Sequence, residues 1–256
     1  MQPFFFNKGK ESECMNQKKK LALIAILGLC LGAVGYLAIR LITTPVEKTE
    51  APATASPEVV ETAAPQEVQR KADYQQWKEK NDDYVGYLYF ESGLVEQPVV
   101  QSEDNEYYLN VTAEKEQSTH GAAFLDYRNS LSDQNLIIYG HYVYKDESLM
   151  FSPLHKLKEP EQYEANRRLV LELEEEIREY EVAKVYYYEL GNENLEYFHP
   201  QYEDEQLQSY LNSVSEKVFY DTGVEITPQD RFLTLQTCVR NRDDLRLIVI
   251  AKQIIE

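Results

Sequence analysis

The stretch Arg231-Phe-Leu-Thr-Leu-Gln-Thr-Cys238, near the end of this chain, decides how the rest is interpreted. Its side chains alternate, which predicts a β-strand with Leu233 and Leu235 on the core face. Cys238 ends the strand on the opposite face. A cysteine that serves only packing would share the leucine face, so the pattern favours an accessible thiol over a small buried apolar residue, a common role of free cysteine.

A second strand is predicted at residues 245–252, after a loop at residues 239–244. If the two strands pair antiparallel, the start of the second lies beside the end of the first and brings Arg246 near Cys238. A guanidinium there would stabilise a thiolate or an oxyanion. Arg240 and Arg242 in the loop are alternatives, but a strand position is held more rigidly.

Histidine is the natural partner of a reactive thiol, because imidazole exchanges protons near neutral pH. The chain has His120, His141, His155 and His199. His141 closely follows the apolar strand predicted at residues 135–139, and Gly140 permits a sharp exit from that strand. We therefore prefer His141 as the general base. The other three are interpreted as surface or packing histidines.

Eight short segments have β-type patterns and are separated by turns. They are residues 85–90, 97–101, 122–127, 135–139, 169–173, 180–189, 231–238 and 245–254. Helices are predicted at 73–80, 149–157 and 204–219, the last between the sixth and seventh strands. The predicted fold class is mainly β (α+β), with a closed or nearly closed eight-stranded β-barrel.

The N-terminal part predicts a membrane anchor. Residues 1–20 end in three lysines and precede an uncharged apolar run at residues 21–39. At about 1.5 Å per residue, this run nearly matches a hydrocarbon core of about 30 Å. Because positive charge stays inside, we expect residues 1–20 in the cytoplasm and an uncleaved transmembrane anchor at residues 21–42. A cleaved signal peptide is the alternative, but its apolar region is usually shorter.

The remainder is predicted to lie outside the cytoplasm. Residues 43–71 are rich in Ala, Pro, Thr and Glu and lack aromatic residues, which predicts an extended stalk. Residues 72–256 form the predicted folded head. Cys14 and Cys30 would then be cytoplasmic and intramembrane respectively, so neither could form a disulfide with Cys238.

The formal net charge is −18, although the first 42 residues hold six basic and only two acidic residues. The part beyond the anchor is therefore strongly acidic. A nucleic-acid duplex repels such a surface, which argues against nucleic-acid binding. The sequence has no glycine-rich phosphate loop, and we expect no cofactor.

Three motifs resemble those of sortases, the cysteine transpeptidases of Gram-positive surfaces. Thr234-Leu-Gln-Thr-Cys238 is similar to the sortase TLxTC signature, and Ile138-Tyr-Gly-His141 to the sortase histidine motif. Arg246 matches the third member of the sortase triad. The resemblance implies a sortase-type barrel in which His141, Cys238 and Arg246 are catalytic.

The resemblance covers about residues 72–253 and is with class B. Residues 83–88, 97–109, 121–129 and 150–154 are similar in order and content to class B members. The predicted N-terminal helix and the long helix before the penultimate strand are further class B features. The acidic calcium-binding arrangement of class A has no clear counterpart, so we expect no metal.

The resemblance implies a two-step acyl transfer. Cys238 attacks the carbonyl of a threonine in the C-terminal sorting signal of a secreted surface protein or pilin. His141 acts as general acid and then as base, and Arg246 holds substrate backbone and stabilises the oxyanion. The acyl group then passes to an amine of a peptidoglycan precursor, which anchors the protein to the wall, or to a pilin lysine, which extends a pilus.

The resemblance also implies a groove for the sorting signal. Its expected members are Asn105, Leu109, Tyr139, Tyr197, Phe198, Gln236 and Thr237. Gln236 stands where class B sortases often have serine, and Val239 stands where an acidic residue can follow the cysteine. These departures leave the exact sorting pentapeptide open.

Two other functions fit the same residues. A catalytically silent, membrane-tethered module would hold a peptide in a tyrosine-rich groove, and Cys238→Ala would leave its phenotype intact. A thiol peptidase would let water resolve the acyl-enzyme, so an added amine would not change its products.

Overall fold

Strand pairing closes eight strands into one barrel in the computed structural model, which describes residues 65–191 and 199–255. The strands are β1 (Tyr84–Phe90), β2 (Glu96–Val100), β3 (Ala123–Leu125), β4 (Asn135–Tyr139), β5 (Arg168–Glu172), β6 (Ile177–Glu189), β7 (Phe232–Val239) and β8 (Arg242–Gln253). Around the barrel their order is β1-β2-β3-β4-β7-β8-β6-β5. The predicted closed eight-stranded barrel is confirmed.

Within the described residues, three α-helices and several 3₁₀ segments precede or connect these strands. The α-helices are α1 (Pro65–Lys80), α2 (Tyr163–Asn166) and α3 (Asp204–Ser215), and the 3₁₀ segments are Tyr107–Leu109, Ser152–Lys158 and Pro160–Gln162. The predicted N-terminal helix and the long helix between the sixth and seventh strands are both present. The long helix is shorter than predicted and ends at Ser215.

The N-terminal helix begins earlier than expected. It starts at Pro65, so residues 65–71, which we assigned to the stalk, are helical. Proline suits the first helical position, because its missing N–H would have no partner there and its φ is already helical. The remaining predicted stalk and the predicted anchor at residues 21–42 lie outside the described residues. Within the described ranges, no helix is long and apolar enough to cross a membrane.

The helix predicted at residues 149–157 is wrong in type and start. Met150 has a φ of 53°, in the left-handed region, so a helix cannot run through it. The segment that follows, Ser152–Lys158, is a 3₁₀ helix with Pro153 near its start.

Two apolar layers bury both faces of β7. Leu233 and Leu235 lie in the barrel interior, as the alternation predicts, while Phe232 packs outside against α3. Helix α3 contributes Leu207 and Leu211 to that outer layer, which reflects their helical spacing. The outer face of β7 becomes partly exposed only toward the end that carries Cys238.

Leu235→Ala tests the barrel core. Leu235 is 0% exposed, so its truncation should leave a cavity and lower the free energy of unfolding by about 3 kcal/mol. Urea unfolding of the full chain measures the change. The matched control is Leu131→Ala, because Leu131 is 36% exposed and its loss should cost less than about 0.5 kcal/mol. Equal losses in the two variants would contradict this assignment of the core.

Candidate active site

One open cavity of about 310 Å³ brings most of the predicted site residues together. It is lined by Asn105, Leu109, Phe124, Tyr139, Gly140, His141, Gln236, Thr237, Cys238 and Arg246. Tyr197 and Phe198, which we also expected in the groove, lie outside the described residues. Within the described part of the chain, the three other histidines do not line this cavity.

Parallel pairing of β4 with β7 places His141 and Cys238 at the same edge of the barrel. The register sets Tyr139 opposite Gln236, so His141 and Cys238 each lie two residues beyond this last pair of the two strands, and both line the cavity. The backbone N–H of Gly140 donates to the carbonyl of Gln236 at 3.1 Å, which extends this alignment.

Gly140 is required by close packing. A Cβ at this position would lie 2.5 Å from the ring of Phe151, a fully buried residue. The chain can therefore pass over Phe151 only without a side chain, and this passage delivers His141 to the cavity.

The β7–β8 hairpin brings Arg246 directly opposite Cys238. The loop between these strands is shorter than predicted, because β8 already begins at Arg242 and pairs there with Val239. Asn241 makes this tight turn possible with a φ of 59°, a conformation that asparagine tolerates. The residues between Arg242 and Arg246 form an irregularity in the register.

The three arginines of the hairpin have different surroundings. Arg246 lines the cavity, and its Nη1 donates to the carbonyls of Asp243 at 2.8 Å and Leu245 at 2.9 Å. Arg240 forms an ion pair with Glu147 at 3.3 Å. Arg242 pairs with Asp244 at 2.8 Å. Only Arg246 therefore faces the thiol-bearing cavity.

The ring of His141 is oriented by a backbone carbonyl. Its Nε2 lies 2.8 Å from the carbonyl oxygen of Leu109. A carbonyl only accepts hydrogen bonds, so Nε2 carries the proton of the neutral ring, and Nδ1 is the nitrogen left to take up a second proton. The side chain of Leu109 is 36% exposed and forms part of the cavity wall.

A buried carboxylate organises another part of the wall. Asp126 is 0% exposed, and its Oδ2 accepts hydrogen bonds from the Tyr139 hydroxyl at 2.7 Å and from Asn105 Nδ2 at 3.2 Å. Arg128 also donates to both carboxylate oxygens. Burial alone would raise the pKa of Asp126, but the hydrogen bonds from Arg128 and Tyr139 outweigh burial and hold the pKa below its ordinary value.

Two polar atoms of the cavity-lining residues lack partners. Among the described residues, nothing hydrogen-bonds to the buried Oε1 of Gln236 or the buried Oγ1 of Thr237. A buried polar atom without a partner is costly, so these atoms favour a ligand that can hydrogen-bond to them.

The sequence that forms this site matches a known protein family. Residues 90–254 match the family model described as the sortase domain. The chain belongs to the sortase family. It is 33% identical to sortase B of Listeria monocytogenes over 166 residues, which covers 64% of this chain and 65% of that protein. It is 29% identical to sortase B of Staphylococcus aureus over 177 residues, 67% of this chain and 70% of that protein.

Solved structures give the same class. A mutant form of Clostridium perfringens sortase B has a TM-score of 0.68 at 28% identity, covering 75% of this chain and 92% of that one. The Staphylococcus aureus sortase B–substrate complex has a TM-score of 0.65 at 26% identity, covering 72% and 85%. The protein is thus a class B sortase.

His155 supports the site of this sortase from outside the cavity, a role that our sequence reasoning missed. Its Nε2 lies 3.0 Å from the carbonyl oxygen of Cys238, and its ring packs edge-on against Tyr142 at 4.9 Å. We had assigned His155 to the surface or to packing. Packing is correct, but the contact with the Cys238 carbonyl joins residues 83 apart in sequence, and local pattern contains no signal for it.

Asp126 was also missed as a site residue. An aspartate that follows an apolar strand, with an arginine two residues later, is a signal that could have indicated it. In the described residues of this sortase, no three metal-ligating side chains come together as a metal site.

His155→Phe and His155→Gln test the contact with Cys238. Burial lowers the pKa of His155, so at slightly acidic pH this imidazole is protonated in the unfolded chain and stays neutral in the folded chain. The free energy of unfolding should therefore fall as the pH drops through about 6.5, and both variants should lose this component.

Urea unfolding between about pH 7.5 and about pH 5.5 measures this dependence. At the upper pH, His155→Phe should be about 1 kcal/mol less stable than His155→Gln, because only glutamine keeps an N–H for the Cys238 carbonyl. An unchanged pH dependence in both variants would overturn the assignment.

Proposed function

We propose that this class B sortase is a cysteine transpeptidase that cleaves the sorting signal of a secreted protein and transfers the acyl part to an amine. One observation carries the proposal. Cys238, His141 and Arg246 line a single open cavity, and Cys238 and Arg246 are direct cross-strand partners.

In the first step, Cys238 Sγ attacks the carbonyl carbon of a threonine in the sorting signal. A C–S bond forms, the C–N bond breaks, and the leaving amine takes a proton from the imidazolium of His141. The Leu109 carbonyl, bonded to Nε2, leaves Nδ1 as the nitrogen that exchanges this proton. Arg246 supplies positive charge where the oxyanion develops.

The walls of the cavity suit a bound peptide. Tyr139 and Asn105 are held by Asp126, so their exposed parts form a rigid surface that loses little entropy on binding. The unpartnered Oε1 of Gln236 can accept a substrate N–H. The unpartnered Oγ1 of Thr237 can donate to a substrate carbonyl or accept from an N–H.

In the second step, an amine attacks the thioester, the C–S bond breaks, and His141 takes the proton of the amine, which regenerates the Cys238 thiolate and the His141 imidazolium. A sortase B has been solved in complex with triglycine, and its fold matches this chain with a TM-score of 0.65 at 27% identity over 72% of this chain and 86% of that one. This supports a peptide amine of a peptidoglycan precursor as the acceptor. A pilin lysine is the other acceptor to test.

We also propose that the enzyme is anchored in the cell membrane. The lysines at residues 18–20 and the apolar run at residues 21–39 support a cytoplasmic N-terminus. The catalytic domain would then work outside the cytoplasm, where secreted proteins emerge.

Mass spectrometry of the full chain tests the nucleophile. After incubation with a panel of sorting peptides, an acyl adduct should be found on Cys238, and Cys238→Ala should carry none. Added triglycine or a lysine derivative should then release an amide product, and the faster of the two identifies the acceptor. If an adduct forms but only water resolves it, the enzyme is a thiol peptidase and the proposed transfer is wrong.

Arg246→Lys tests the cation opposite the nucleophile. Lysine keeps the charge but loses the planar fork, so we expect acyl-enzyme formation to slow about tenfold or more. Arg240→Lys is the matched control, since Arg240 belongs to the same hairpin but pairs with Glu147 outside the cavity. Single-turnover kinetics with a sorting peptide measure both, and equal rates for the two variants would count against a role for Arg246.

A further inference from the structure

A second cleft, of about 440 Å³, lies between α1 and the outer surface of the barrel. It shares no lining residue with the active-site cavity. Helix α1 contributes Tyr74 and Trp77, and the barrel contributes Tyr87, Tyr89, Glu96 and Glu172. We call this the aromatic cleft. No step of the proposed acyl transfer uses it.

Strand register explains why rings and carboxylates meet here. Residues of β1 alternate between the barrel interior, where Leu88 is fully buried, and the outer face, which carries Tyr87 and Tyr89. Cross-strand pairing sets Glu172 of β5 opposite Tyr87 and Glu96 of β2 opposite Tyr89. The Tyr89 hydroxyl also donates to Glu172 at 3.3 Å.

The carboxylates of the aromatic cleft have no cation of their own. Within the described residues, no lysine or arginine forms an ion pair with Glu96 or Glu172. The two basic residues of the cleft have other partners. Arg70 donates to the backbone carbonyls of Leu173 and Glu174, and the Lys80 ammonium lies over the ring of Trp77 at 4.9 Å.

The cleft is lined by three carboxylates, Asp73, Glu96 and Glu172, and by two cations, Arg70 and Lys80, so its formal charge is negative. Burial and the carboxylate of Glu172 raise the pKa of Tyr89 to about 12, and burial, with Tyr74 and Glu172 nearby, also raises the pKa of Tyr84. The part of these rises that comes from the charge of Glu172, unlike the part that comes from burial, favours a cation, and the faces of the aromatic rings act in the same direction. Lys80 on Trp77 shows that this wall already holds one ammonium group.

We propose that the aromatic cleft binds an alkylammonium group, the chemistry shared by a lysine-type side chain and a choline-type headgroup. Tyrosine faces and unpaired carboxylates are the groups that recognise such cations. The preceding stalk segment, residues 43–64, is an unsuitable occupant, because it carries four glutamates and one lysine. A carbohydrate would also stack on tyrosine, but it would not need the charge of Glu172.

Trp77 makes the proposal measurable, because it is the only tryptophan of the chain and lines the cleft. Its fluorescence is followed in detergent-solubilised full-length protein that carries Cys238→Ala, so the active site cannot turn over a ligand. The probes are Nα-acetyl-lysine methylamide, choline, neutral Nα-acetyl-norleucine methylamide and diacetylchitobiose. We expect saturable changes with the two cations and none with the two neutral probes. The cation that binds with the higher affinity identifies the source of the ammonium group.

Isosteric variants separate charge from shape. Glu172→Gln should weaken binding of the cationic probes about tenfold, whereas Glu161→Gln, on the surface outside the cleft, should leave their affinity unchanged. Tyr87→Phe should retain binding, because it keeps the ring face, and Tyr87→Leu should lose it. Equal affinity for the lysine and norleucine probes, or binding of chitobiose that is insensitive to Glu172→Gln, would overturn the proposal. Neither result depends on whether Cys238 forms an acyl-enzyme.

Discussion

The parallel pairing of β4 with β7 is the constraint on which the active site depends. These strands are far apart in sequence, and their register, Tyr139 opposite Gln236, places His141 and Cys238 two residues beyond that pair at one edge of the barrel. A slip by one residue would turn every side chain of β7 to the other face. Leu235 would then leave the interior, and Cys238 would no longer face the cavity. Core packing and the placement of Cys238 are therefore set by the same register.

Strong local patterns made much of this fold predictable. β4 was predicted with its observed ends, and the alternation along β7 placed the leucines inside and Cys238 on the other face. The hairpin argument brought Arg246 to Cys238, because antiparallel neighbours must meet near their turn. His141 was harder to choose. Its selection rested on the glycine before it and then on the family resemblance.

The features that could not be predicted from the sequence depend on contacts between distant segments or on exceptional backbone angles. The bond from His155 to the Cys238 carbonyl exists only because a 3₁₀ turn packs under the end of β7. Met150 adopts a left-handed φ that its residue type does not suggest, so the prediction of a helix that begins at residue 149 is wrong. The early start of α1 was not predicted for a different reason, since Pro65 is compatible with both an extended stalk and a first helical turn.

The Oδ2 atom of Asp126 has a consequence for how the groove of this family member can change. Tyr139 and Asn105 both donate to that one atom, from different loops and strands. A substitution at either position alters the hydrogen bonding of the other, so their effects on the wall of the cavity will not be additive. Replacements of these two residues are therefore coupled through Asp126. Because Asp126 is buried and ionised, most single changes there would also reduce the stability of the barrel.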